Sequence, residues 1–165
     1  MTTYYGPGAA GSGVAEMIGY MNGVNYPGFI AVETLITKVF GVVFAVSARL
    51  CVGKEGPLAH IGSNWGLLTI YLPNLGFEFL RNDEDKRVLL AAGGSAGVAA
   101  AFGAPIGGAL FAYEMSKPAT FWEFKMIWKT FITCSFSVIF LKFLINWAHD
   151  GAISESATSL IKFGK

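Results

Sequence analysis

The residues whose types and spacing could do chemistry are Gly53-Lys54-Glu55-Gly56-Pro57. An apolar run from Phe40 to Val52, broken by Arg49, leads into them, and another, Leu58 to Leu72, leads out. Two charges therefore stand inside hydrophobic sequence. An ionisable group at membrane depth is costly and marks a functional site by default. The glycines allow close backbone approach or positive φ, and Pro57 suits the first turn of a helix. The stretch reads as a loop opening a helix, with free N–H groups and the positive dipole end facing a small site. Such an end attracts anions. Glu55 is then an anion carried by the protein itself, placed to compete with a free one.

A second loop has related chemistry. Gly11-Ser12-Gly13 precedes Val14-Ala15-Glu16-Met17-Ile18, a short helix start with Ser12 at or near its N-cap. The third glycine of a dinucleotide fingerprint is absent and no strand precedes the loop, which argues against a dinucleotide site. A phosphate-binding enzyme would need Lys-Ser/Thr after its glycines, and Lys54 is followed by Glu55. His60 has no ligand partner three or four residues away and reads as a packing or hydrogen-bonding histidine. Cys51 and Cys134 are single and far apart, which implies neither a disulfide framework nor zinc. No metal and no cofactor are expected, and no enzyme activity.

The elements that must position these loops are membrane elements. Of 165 residues, 53% are hydrophobic and 14% charged, and the mean hydropathy is +0.51; soluble domains carry roughly 25% charged residues. Fourteen Phe and 21 Gly agree with that class. A net charge of +1 without a basic aromatic-interleaved patch argues against nucleic acid. No signal peptide is visible at the N-terminus.

Along the chain, Asn25-Tyr26-Pro27-Gly28 is a turn, and 29–52 is long enough to span a bilayer. Its Glu33, Lys38 and Arg49 must face protein, water or an interface. The charge run 81–87 reads as a solvated loop with a helix start at Asp83 or Asp85. From Val88 to Tyr113 there is no charge. Gly93/Gly97 and Gly103/Gly107 are small-xxx-small pairs expected to face other helices closely. Pro105 predicts a break into two short helices, and short interrupted hydrophobic segments point to a transport site. Ser116 to Thr120 reads as a loop. Trp122, Trp128 and Trp147 bracket a last span of 126–148, in which Lys142 can snorkel. Residues 150–165 form a polar, peripheral tail. No sheet is predicted anywhere.

Three stretches then fall in one order and spacing: Gly-Ser-Gly-Val-Ala-Glu at 11–16, Gly-Lys-Glu-Gly-Pro at 53–57, and Ala-Gly-Val-Ala-Ala-Ala-Phe-Gly-Ala-Pro-Ile-Gly-Gly at 96–108. Together they resemble the CLC family of chloride channels and chloride/proton antiporters. The resemblance extends to Arg81-Asn82-Asp83 and Ile161-Lys162-Phe163-Gly164, flanks most like the eukaryotic endomembrane branch. It implies an all-α integral membrane fold of tilted, broken helices, about half of an inverted-repeat membrane domain, and a homodimer with one pore per subunit when full length. The implied partners are chloride and the lipid bilayer. The implied anion-binding residues are Gly11, Ser12, Gly13, Gly53, Lys54 and Gly56, with serine at position 12 typical of chloride-preferring members. Glu55 matches the gating glutamate.

The departures carry information too. The family usually has Ile-Pro where this chain has Val14-Ala15. Antiporters commonly have two acids where this chain has Glu114-Met115, the second being the family's internal proton-transfer glutamate. Met115 fits a channel, whereas the branch resembled is mostly antiporters. The expectation is therefore chloride transport of the voltage-gated channel type with a glutamate gate, the alternative being a chloride/proton antiporter of an intracellular membrane. A non-transporting membrane subunit is a further alternative. A lysosome-, vacuole- or endosome-like membrane is favoured over the plasma membrane. Residues 1–165 correspond to a partial membrane domain, a fragment or half-gene. The second-half Gly-x-Phe-x-Pro loop, pore tyrosine and cytoplasmic nucleotide-sensing domains are not in it.

Overall fold

The computed structural model describes residue 2 and residues 4–26, 28–71, 82–117 and 124–151. Among them every regular element is helical. A 3-10 turn at Pro7–Ala9 is followed by α1 (Val14–Met21), α2 (Val32–Ser47), α3 (Glu55–Tyr71), α4 (Asp83–Phe102), α5 (Pro105–Ser116) and α6 (Phe124–Gly151).

α2 is shorter than the 29–52 span predicted for it. Sixteen residues reach about 24 Å at 1.5 Å each, less than the ~30 Å hydrocarbon core. Its end is fixed by Arg49, whose φ of 53° takes the chain out of the right-handed helix. Glu33 sits in its first turn and Arg49 just past its end, both exposed, while Lys38 in its middle is buried. By contrast α6 contains a 23-residue stretch, Met126–Ala148, long and apolar enough to cross a membrane. Trp128 and Trp147 are exposed near its ends. Trp122, Arg81, 152–165 and the motif residues 161–164 lie outside the described residues.

The uncharged run divides where Pro105 predicted. Gly103 takes φ 66° as the left-handed C-cap of α4, Ala104 is extended as a residue before proline must be, and Pro105 opens α5. The division is unequal, since α4 has 20 residues and only α5, with 12, is short. α4 starts at Asp83, as one of the two predicted starts. Asp83, Glu84 and Asp85 in its first turn complement the dipole, and Lys86 Nζ donates to Asp83 Oδ1 at 3.1 Å. Ser116 is the last residue of α5 rather than the first of a loop.

α3 and α4 form the most extensive helix pair. Gly62 and Gly66 on α3 meet Gly93 and Gly97 on α4 backbone to backbone. A Cβ on Gly93 would strike the Gly62 carbonyl oxygen, and one on Gly97 the Leu58 carbonyl oxygen. The 93/97 expectation therefore holds, and α3 supplies a matching glycine pair. The 103/107 expectation does not. Gly103 has open space where its Cβ would be, and Gly107 would meet only Ala104 Cβ at 3.6 Å. Gly103 serves the α4–α5 break instead, as its left-handed cap, and Gly107 lies inside α5 with only ordinary contact. The close approach is made one residue on, where a Cβ on Gly108 would lie 2.5 Å from the Ser95 carbonyl oxygen and 2.9 Å from Cys134 Sγ.

The core gathers Met17 and Met21 of α1, Phe29, Ala59 and Leu67 of α3, Leu90 and Val98 of α4, Met115 of α5 and Met126 of α6. The outer surface is apolar: Phe40, Val43 and Phe44 on α2 and Phe136, Phe140 and Phe143 on α6 are all more than half exposed. Apolar residues on both the inside and the outside are what a bilayer solvent requires.

Candidate anion site at two helix N-termini

α1 and α3 bring the two sequence motifs together. Ser12 and Gly56 are far apart in the chain, yet a Cβ on Gly56 would lie 2.8 Å from Ser12 Cβ. Only glycine at 56 lets the serine loop rest on the first turn of α3. The N-cap of α1 is Gly13, with φ 83°, and not Ser12. Ser12 is the preceding residue, and its Oγ accepts from the Val14 N–H at 3.4 Å. Gly13 is buried against the His60 ring, which a side chain there would overlap. The ring is itself fully buried, stacked on Phe29 at 4.5 Å between centroids and 9° between planes. That agrees with the packing role read from sequence. Gly13→Ala thus combines left-handed strain with a collision. The expected loss of stability is about 2 kcal/mol or more, read by thermal melting.

Both helix starts leave donors without intrahelical partners. In α1 the Met17 N–H to Gly13 C=O bond, 3.0 Å, closes the first turn. In α3 the Leu58 N–H to Lys54 C=O bond, 3.0 Å, does the same. The N–H groups before these points face outward from the helix ends, except at Pro57, which has none. The positive ends of two helices and the Ser12 hydroxyl therefore converge, which is an anion-binding arrangement.

Glu55 is the first residue of α3 and is half-buried. Its carboxylate curls back over Gly53: a Cβ there would lie 2.5 Å from Glu55 Oε2. Glycine at 53 is thus the space into which the carboxylate folds. Lys54 is exposed and makes no ion pair with Glu55. A cavity of about 540 Å³ borders both loops and is lined by Gly11, Ser12, Lys38, Gly53 and Pro57. Gly11 has φ 70° and nothing opposite its missing Cβ, so it serves the turn. Met115 does not line that cavity. It is 4% exposed and lies in the same apolar cluster as Met17 and Ala59, while Glu114 beside it is exposed. Among the described residues no group of His, Cys, Asp and Glu could hold a metal ion.

Sequence reasoning missed the residue behind the serine loop. Lys38 Nζ donates to the Ala9 carbonyl oxygen at 3.1 Å and the Gly11 carbonyl oxygen at 2.7 Å, and Lys38 is 4% exposed. The signal available was a lysine in an apolar helix between Thr34, Thr37 and Gly41. That pattern requires a buried partner without naming it.

The family model described as voltage gated chloride channel matches residues 1–162. The chain is similar to the H(+)/Cl(-) exchange transporter 7 of Homo sapiens, 39% identical over 166 residues, which covers 96% of this chain and 20% of that protein. It is similar also to chloride channel protein CLC-c of Arabidopsis thaliana, 39% identical over 158 residues, 92% of this chain and 20% of that protein. Chloride channel protein D of Dictyostelium discoideum is 42% identical over 141 residues, 81% of this chain and 14% of that protein. The chain thus spans about a fifth or less of the length of these relatives. With the glycine-loop motifs, the broken helices and the match over residues 1–162 in agreement, the chain belongs to the voltage-gated chloride channel (CLC) family, whose members are all-α integral membrane proteins.

Proposed function

We propose that this chain forms the first half of the chloride pathway in a chloride/proton exchanger of an intracellular membrane, functioning as a homodimer in its complete form. The observation that carries the chloride pathway is the meeting of the Ser12 loop and Glu55 at two helix N-termini. Gly11, Ser12 and Gly13 bind the anion from the α1 side. Gly53, Lys54 and Gly56 border it from the α3 side, Lys54 as an exposed charge at its approach. Ionised Glu55 occupies a neighbouring anion site at the start of α3 and blocks it. Chloride arrival or protonation displaces the carboxylate, and the proton it takes up is the one exchanged. Relatives named as exchange transporters support the exchanger over the channel reading.

A specific observation favours the other reading. Met115 occupies the position of the family's internal proton-transfer acid and is packed among apolar residues, as in a channel with a glutamate gate. The exchanger reading requires the proton to reach Glu55 by another route. The two readings differ in the reversal potential of the complete protein. Exchange shifts it with a pH gradient at fixed chloride; a channel leaves it at the chloride equilibrium value.

Restoring the acid alone does not create a proton path. Met115→Glu puts a carboxyl group into the Met17–Ala59 cluster without a hydrogen-bond partner. The expected cost is about 1–3 kcal/mol, seen as a lower melting temperature, with no gain in the ratio of protons to chloride.

A further inference from the structure

A buried ammonium is expensive unless something compensates it. Lys38 makes no ion pair and spends two of its three donors on backbone carbonyls of the 9–11 loop. Glu16, on the first turn of α1, is the acid whose field reaches it. A planar trans peptide holds its C=O and N–H antiparallel. Drawing the Gly11 carbonyl toward Lys38 therefore turns the Ser12 N–H to the opposite side. The Ala9–Ala10 peptide is held in the same way, but the Ala10 N–H is taken up by the Pro7 carbonyl at 3.3 Å. The Ser12 N–H has no partner among the described residues. Left-handed Gly11 and Gly13 on either side fix the direction in which it points.

We propose that Lys38 is the positioning residue of the anion site: it holds the loop carbonyls on its own side, presents the Ser12 N–H with the hydroxyl to chloride, and adds a positive charge behind the loop. This inference rests on the chloride pathway proposed above. An apolar residue could fill the space in α2 but could neither turn the two carbonyls away from an anion nor supply that charge, and a neutral amide could not supply the charge. Carbonyl dipoles left free to rotate toward the site would repel chloride.

The test uses the complete protein in lipid vesicles, with chloride uptake followed against chloride concentration. In Lys38→Met the half-saturating chloride should rise at least about tenfold, the worth of one charge-assisted hydrogen bond, with a smaller change in maximal rate. Lys38→Arg keeps charge and donors and should return it to within about threefold of the wild type. Should Lys38→Met not assemble, Lys38→Gln decides the matter, because its amide can still donate but carries no charge. A raised half-saturating chloride in Lys38→Gln supports the proposal. A wild-type value in assembled Lys38→Met or Lys38→Gln overturns it, as does Lys38→Arg failing as badly as Lys38→Met. A wild-type protein that moves no chloride refutes the chloride pathway itself; a transporting protein indifferent to Lys38 refutes only this inference.

Discussion

Glu55→Gln in the complete protein should move chloride without moving protons. Proton flux driven by a chloride gradient should fall to the leak level, while chloride flux persists and loses most of its pH dependence. The amide keeps the volume of the side chain but loses the charge that, in the proposed mechanism, competes with chloride at the start of α3. It also loses the proton acceptor. No structural loss should accompany this, because Glu55 folds over Gly53 and Lys54 does not pair with it. If Glu55 instead held the fold through Lys54, the variant would assemble poorly and carry less chloride. Reduced chloride flux with unchanged pH dependence in properly assembled protein would end the gate reading. Parallel recordings of chloride flux and vesicle pH at several external pH values decide between these.

The second large effect is expected at the helix pair that carries Glu55. α3 begins with Glu55 and runs against α4 with backbone touching backbone. Gly97→Val would drive a branched side chain into the Leu58 carbonyl and move the first turns of α3. The expected cost is about 3 kcal/mol or more, enough to shift Glu55 and, in a marginal membrane protein, to prevent assembly. Gly107→Ala is the matched control. Its new methyl group meets only Ala104 Cβ at 3.6 Å, so the change should stay within about 0.5 kcal/mol. Thermal melting and gel filtration of the two variants should differ sharply; equal behaviour would mean that the α3–α4 contact is not what holds the start of α3 in place.

The contrast between these two glycines shows what the sequence could and could not reveal. Both pairs have the same spacing, but Gly103 is needed for its positive φ at the break, whereas Gly93 and Gly97 inside a continuous helix are needed for their missing side chains. Gly103 was claimed by the break at Pro105, Gly107 faces only Ala104, and Gly108 makes the close contact. The start of α3, the start of α4 and the Gly103–Pro105 break were legible because Pro, Gly and clustered acids act locally. The length of α2 was not. Its apolar run continues to Val52, and only the positive φ at Arg49 reveals where the helix ends. In the site, Ser12, Glu55 and their glycines were legible as motifs. Their contact through Gly56 is tertiary and was not. Lys38 was visible as an awkward charge, while its partners are carbonyls, which carry no sequence signal. The polarity of position 115 was plain, but composition alone could not say that Met115 sits in the core with Met17.

The central claim is that Glu55 and chloride compete for one place at the N-terminus of α3, next to the anion site of the Ser12 loop. The most direct measurement is an experimental structure of the complete protein in bromide, with anomalous scattering recorded for the wild type and for Glu55→Gln. The account predicts bromide beside Ser12 in both, and in Glu55→Gln a further bromide where the carboxylate had been. Bromide absent from the Ser12 loop in both proteins, or an unoccupied α3 N-terminus in Glu55→Gln with the amide displaced, would contradict it.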